Sequence, residues 1–247
     1  MSTTRLSRKA APPVPLVDCA CSYTEASYGH LSSQHQRFVA LYTACILYID
    51  DLGGQQLEPV CQFASRLAGG QPQLTRALET LAGLLKEVHT LWPAYGADAI
   101  ISGTLDAVSG MYLEYTTQEM EPNPIATWWP MYLRTRTGIN APYIHFMFMK
   151  GFRDTPETYL QILPLSFYKE ELAGETKNYI HIRAQTEGRT AIEVLRLLAQ
   201  EILESHRRVS LAFANDEELS ALWLRYVEKF LEFHVHQPRY KLEKLLL

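Results

Sequence analysis

SQHQRFVALYTACILYIDDLGG, residues 33–54, decides how this chain folds. Between Phe38 and Ile49 it is apolar on nearly every side (Phe38, Val39, Leu41, Ala44, Cys45, Ile46, Leu47, Ile49), which predicts a helix over 33–52 that is buried almost all round. The run is too short to cross a bilayer, for which about 20 residues are needed. It ends in Asp50-Asp51-Leu52-Gly53-Gly54, and the glycines stop the helix. Two adjacent carboxylates therefore sit at the unfavourable end of the helix dipole, beside an apolar surface, and a positive partner is expected there. Carboxylate oxygens suit Mg2+, which takes one or two of them together with phosphate oxygens of a substrate. An acidic, solvated helix end is the plainer alternative.

Working outward, helical periodicity continues. Residues 56–68 read as a short amphipathic helix closed by Gly69-Gly70. Leu74, Ala77, Leu78, Leu81, Leu85, Val88 and Leu91 form one stripe, which predicts a helix over 72–91, with Pro93 behind it. Residues 96–119 give another long helix, followed by a loop at Pro122 and Pro124. Helical segments over 127–137, 140–150 and 156–171 are separated by breaks at Gly138, Pro142 and Gly151. A long helix covers 190–214. Asp216 caps the last helix, which Pro238 interrupts near its end. No stretch alternates with period two for long enough to build a sheet. The expectation is an all-α fold of eight to ten antiparallel helices in one domain, residues 18–247, around a central apolar pocket. Residues 1–17, basic and then proline-rich, are expected to be a flexible arm.

Composition narrows the function. Of 247 residues, 47% are hydrophobic and 20% charged, enough for a large core, and the net charge of −4 is too mild to suggest a nucleic acid partner. No signal-peptide pattern or membrane span is read, and a cytoplasmic location is expected. Four cysteines, Cys19, Cys21, Cys45 and Cys61, show no metal or disulfide spacing; Cys45 lies in the apolar run and should pack as a small hydrophobe. His234 and His236 diverge on a helix and read as structural. No P-loop, GxGxxG or GxSxG is present.

Three further polar segments can carry chemistry. In SFYKEE (166–171), Ser166 and Glu170 share one helix face as oxygen donors, with Lys169 beside them. Arg134 is followed four residues later by Gly138. Arg239-Tyr240 follows Pro238. Arginine grips phosphate oxygens bidentately, although most arginines are simply surface charges. Aromatic side chains (Tyr112, Tyr115, Trp128, Trp129, Tyr132, Phe146, Phe148, Phe152, Phe167, Phe233) are spread over the helices. Their faces stabilise cations, and core packing is the bland role for most of them.

Taken in this order, the segments resemble the fungal trichodiene synthase family of class I terpene cyclases. YTACILYIDDLGG looks like that family's helix with the aspartate-rich motif. ISGTLDAVSGMYLEY (101–115) looks like the helix that follows across the pocket. YLRTRTGIN (132–140) resembles the diphosphate-sensing arginine with its effector glycine, SFYKEELAGETKNYI (166–180) the second metal motif, and HQPRYKLEKL (236–245) the closing Arg-Tyr pair. The SFYKE and RY segments are the specific parts. The resemblance implies Mg2+ as cofactor and a linear isoprenoid diphosphate, most often farnesyl diphosphate, as substrate, and it admits a homodimer. It implies that Asp50, Asp51, Ser166 and Glu170 hold metal, and that Arg134, Lys169, Arg239 and Tyr240 bind diphosphate. Asp50, Glu170, Arg134, Arg239 and Tyr240 would carry the catalysis.

The chain departs from the family pattern in both metal motifs: the aspartate motif lacks later acids, with Gly53 and Gly54 where carboxylates could stand, and the second motif has lost a ligand. The second metal motif begins with asparagine four residues before the serine, where this chain has Ile162, followed by Leu163 and Pro164. Isoleucine offers no ligand, and proline removes a helical hydrogen bond. Three readings stay open: a sesquiterpene cyclase of secondary metabolism with a relaxed metal site; a related enzyme acting on another terpenoid, by nucleophile capture of a cation or by cyclisation without ionising a diphosphate; and a non-catalytic terpenoid-binding protein.

Overall fold

The computed structural model describes residues 14–121, 125, 128–152 and 179–238. Among these there are ten α-helices, one 3-10 turn and no strand, which bears out the all-α reading. The helices are α1 (Val14–Tyr28), α2 (Ser33–Leu52), α3 (Leu57–Ala68), α4 (Arg76–Leu91), α5 (Ala94–Thr117), α6 (Trp129–Thr137), α7 (Asn140–His145), α8 (Tyr179–Glu187), α9 (Ala191–Ala212) and α10 (Glu217–His236). The segment 156–171 predicted as helical lies outside the described residues, as do Pro122, Pro124 and residues 1–13 of the expected arm.

Several boundaries differ from the sequence reading. Helix α1 begins at Val14, inside the stretch expected to be an arm, and no aliphatic stripe announces it in the sequence. Its buried positions are Leu16, Cys19, Ala20, Tyr23, Thr24, Ser27 and Tyr28. The spacing is helical, but the stripe is made of small and hydroxyl-bearing residues rather than aliphatic ones. Helix α4 starts at Arg76, not at 72, because Thr75 caps it by accepting from the Leu78 N–H. Helix α7 stops at His145 and gives way to turns, well short of 150. Pro238 does not interrupt α10; the helix has already ended at His236. The expected cap on α10 is present, with the Asp216 carboxylate accepting from the Leu219 N–H at 3.1 Å.

Helix α2 is the axis of the main core, buried continuously from Tyr42 to Ile49 and packed against α1, α4 and α5. Phe38, Tyr42, Trp92, Tyr143 and Phe146 meet mainly edge to face with centroids 4.7–6.3 Å apart, the arrangement aromatic quadrupoles favour. Buried hydroxyls are satisfied locally: Tyr42 pairs with Thr104 (2.7 Å), Tyr143 donates to Thr43 (3.1 Å), and Tyr28 donates to the Tyr143 carbonyl (2.6 Å). Cys45 packs as expected, and burial pushes its thiol up to about 12. None of the four cysteines forms a disulfide.

Helix α5 carries the next layer at unusually close range. A Cβ on Gly103 would lie 2.7 Å from Pro142 of α7, and one on Gly110 would lie 2.8 Å from the Cβ of Arg136 on α6. These glycines let α6 and α7 rest almost on the α5 backbone. Arg136 adds an ion pair to Asp106, 2.8 Å, on the same seam.

Candidate active site

The order of these contacts shows which parts of α6 and α7 meet α5. Along α5, Gly103 faces Pro142, Asp106 faces Arg136, and Gly110 faces Arg136 and Thr137. As α5 advances toward its C-terminal end, its contacts pass from Pro142 of α7 to Arg136 and Thr137 of α6. That end also receives α2: Tyr115 on α5 donates its phenol to the carbonyls of Ile49 (2.6 Å) and Asp50 (3.1 Å). Gly110 and Tyr115 are about 7 Å apart along the helix axis at 1.5 Å per residue. The fold thus ties the backbone of Asp50 to the C-terminal end of α5.

Asp50 and Asp51 are exposed, while the preceding turn of α2 is buried. The carboxylates project from an apolar rod into solvent, at the carbonyl end of its dipole. Helix α2 closes through the Gly53 N–H, which donates to the Ile49 carbonyl, and the chain continues as a 3-10 turn, Gly53–Gln55. Tyr115 supplies a second donor at the same carbonyl. Burial first, then the charges of Asp50, Glu114 and Asp51, hold its phenol well above the usual tyrosine range, so it remains a protonated donor. Sequence reading counted Tyr115 only among the aromatics. The signal that pointed to it was the glycine pair straight after the acids, which leaves room for a ring against the backbone: a Cβ on Gly53 would lie 2.8 Å from Tyr115.

Arg134 is only 8% exposed. A buried arginine is uncommon and marks the residue out. Gly138, four residues on, ends α6 by donating its N–H to the Arg134 carbonyl at 2.9 Å. The next residue, Ile139, takes up the left-handed region (φ 46), the one positive-φ residue other than glycine among those described. A β-branched residue there stores roughly 1–3 kcal/mol, so the break between α6 and α7 is a strained joint directly behind Arg134 and Gly138.

Ser166, Lys169, Glu170, Arg239 and Tyr240 lie outside the described residues, as do Phe167, Ile162, Leu163 and Pro164. Among the described residues no group of three or more histidine, cysteine or acidic side chains is placed to hold a metal ion. Asp50 and Asp51 fit a hard divalent cation as part of a site, with oxygen donors of the right kind but too few to complete a shell of six. Several expected aromatics pack in the core, Phe146, Phe148 and Phe233 among them, whereas Trp128 is 80% exposed and Tyr132 lies on the surface. His234 and His236 bond to the carbonyls of Phe230 and Glu232 in their own helix, in keeping with structural roles. No helix among the described residues is long and apolar enough to cross a membrane.

No family model matches the chain. Individual proteins do. Terpene synthase 29 of Postia placenta is 30% identical over 239 residues, covering 89% of this chain and 68% of its own length. Alpha-cuprenene synthase COP6 of Coprinopsis cinerea is 29% identical over 236 residues, covering 90% of this chain and 72% of its own. Longiborneol synthase CLM1 of Gibberella zeae is 29% identical over 224 residues, covering 83% and 66%. On this similarity, which covers most of its length, the chain belongs to the terpene synthase family.

Proposed function

We propose that this protein is a terpene cyclase of the trichodiene synthase type, which ionises an isoprenoid diphosphate such as farnesyl diphosphate and cyclises the carbocation. The observation that carries this reading is the exposed Asp50-Asp51 pair at the end of the apolar helix α2, its backbone held by Tyr115 of α5. Acidic side chains and guanidinium groups together suit a polyanion that arrives with its counter-cations. The names of the relatives, among them an alpha-cuprenene and a longiborneol synthase, agree with it.

In this reading Asp50, Asp51, Ser166 and Glu170 would hold the metal. Mg2+, when bound, supplies charge neutralisation and Lewis-acid pull on the diphosphate. Arg134, Lys169 and Arg239 donate to the diphosphate oxygens, with Tyr240 adding a neutral hydroxyl, and so stabilise the leaving group as the C–O bond breaks. The aromatic and aliphatic core below keeps water away from the cation, and ring faces turned toward it offset its charge. Ile162, Leu163 and Pro164 favour a second reading, in which the same pocket accepts a different terpenoid or an external nucleophile.

Incubating the purified protein with geranyl, farnesyl and geranylgeranyl diphosphates, with and without Mg2+, and analysing volatile products separates the readings. A cyclic hydrocarbon or alcohol formed only with Mg2+ is the expected result. Diphosphate release without a new volatile product would support capture of the cation by a co-substrate. No release from any of the three would overturn the proposal.

A further inference from the structure

We infer that Tyr115 is the positioning residue of the acidic pair: its phenol, bonded to the last turn of α2, holds the Asp50 and Asp51 carboxylates in the geometry that binds a divalent cation. The inference rests on the reading above that these two residues hold metal, and goes beyond it by assigning the group that presents them.

The argument begins with the helix end. The last carbonyls of an α-helix have no partner within the helix, and the last turn frays unless something caps it. Here that turn carries two adjacent carboxylates, which repel each other and the negative end of the dipole. The Gly53 N–H satisfies Ile49 alone. Tyr115 adds a second donor to Ile49 and reaches Asp50, so one hydroxyl, delivered from another helix, ties down the backbone that bears the acids. Its ring lies flat against the exit of the helix. A Cβ on Gly53 would approach that ring to 2.8 Å, against 3.5 Å for Gly54, an ordinary contact. The glycine at 53 is thus matched to the tyrosine at 115. Groups that orient metal-binding side chains without touching the metal commonly change affinity by about 10–100-fold when removed.

The test is a Mn2+ titration of the full chain, read by electron paramagnetic resonance and paired with thermal unfolding. Asp50→Asn first establishes whether the wild-type affinity belongs to this pair. Tyr115→Phe is expected to weaken Mn2+ binding about tenfold while the melting temperature falls by about 2–4 °C. Gly53→Ala, which pushes the ring from the other side, should weaken binding in the same direction, and Gly54→Ala should not. Tyr42→Phe removes a buried hydroxyl bond in the middle of the same helix. It should lower the melting temperature by a similar amount and leave Mn2+ affinity unchanged, an outcome that separates positioning from general stability. Wild-type affinity in Tyr115→Phe, with Asp50→Asn impaired, would overturn the role of Tyr115 and leave the metal assignment standing. Mn2+ binding that is absent, or indifferent to Asp50→Asn, would overturn both.

Discussion

The layer formed by α2, α4, α5 and α7 and the pair formed by α8 and α9 hold themselves together by different means. The first buries large side chains on all sides, with Trp92, Tyr42, Phe146 and Ile100 all but fully enclosed and two glycines admitting neighbouring backbone. The second has a small core of its own, Tyr179, Ile180, Ala184, Val194 and Leu198. It relies on local devices. Thr190 and Glu193 form a reciprocal capping box at the start of α9. Arg183 pairs with Glu187 at 2.7 Å and Glu201 at 3.2 Å, tying α8 to α9. The acidic pair and Arg134 are attached to the first kind of structure. A site that must present charge in a fixed geometry is held by packing that cannot shift by a few tenths of an ångström, while α8 and α9 are stabilised by contacts solvent can partly replace.

The contrast can be broken or sharpened by substitution. The largest effect should come from Arg134. If its guanidinium contacts diphosphate, Arg134→Gln should cost about 10²–10³-fold in kcat/KM, as loss of a donor to developing negative charge commonly does. Steady-state diphosphate release measures this, and an unchanged value would return Arg134 to a structural role.

Acid stability probes the packed layer next. His145 is buried on α7 under Tyr95, and burial lowers its pKa from the ordinary 6.5 to about 4. The unfolded chain then binds a proton at this residue between pH 6.5 and 4 that the folded chain refuses. The stability it contributes is full above pH 6.5 and is lost as pH falls toward 4, up to about 3 kcal/mol. His145→Gln should flatten the pH dependence of the melting temperature in that window.

Close approach to α5 is smaller but sharper. Gly103→Ala and Gly110→Ala should each destabilise by about 1–3 kcal/mol, because the new methyl meets Pro142 or Arg136 below 3 Å. Gly83→Ala on α4, where a Cβ meets nothing within 4 Å, should instead stabilise by about 0.5–1 kcal/mol. Denaturant midpoints would report all three. Smallest is Thr190→Ala, expected to cost about 1 kcal/mol by removing the cap of α9. Hydrogen exchange should show the loss confined to α8 and α9, and spread into α2 would mean that the two regions are less separate than their construction suggests.

Much of the packed layer was legible from sequence because its signals are aliphatic and local. The stripe from Ala77 to Leu91 and the run from Phe38 to Ile49 could only be helices, and the glycines that close α2 and α3 marked their ends. Helix α1 was not legible: Cys19, Thr24 and Ser27 do not look like core, and Tyr23 and Tyr28 become core only because rings from α7 and α10 close over them. The acids of the site were visible as residue types out of place at the end of an apolar helix. The burial of Arg134 and the hold of Tyr115 on Asp50 were not, since both depend on helices far apart in the chain coming together. No local pattern encodes such a meeting.

The most direct test of the account is the initial rate of diphosphate release from farnesyl diphosphate at saturating Mg2+, compared between the wild-type protein and Asp50→Asn, with matched circular dichroism spectra and melting temperatures. The account predicts Mg2+-dependent release by the wild type, and none above background from a variant that is folded and equally stable. Equal release from both proteins would contradict it, because the exposed acids at the end of α2 would then have no part in the chemistry.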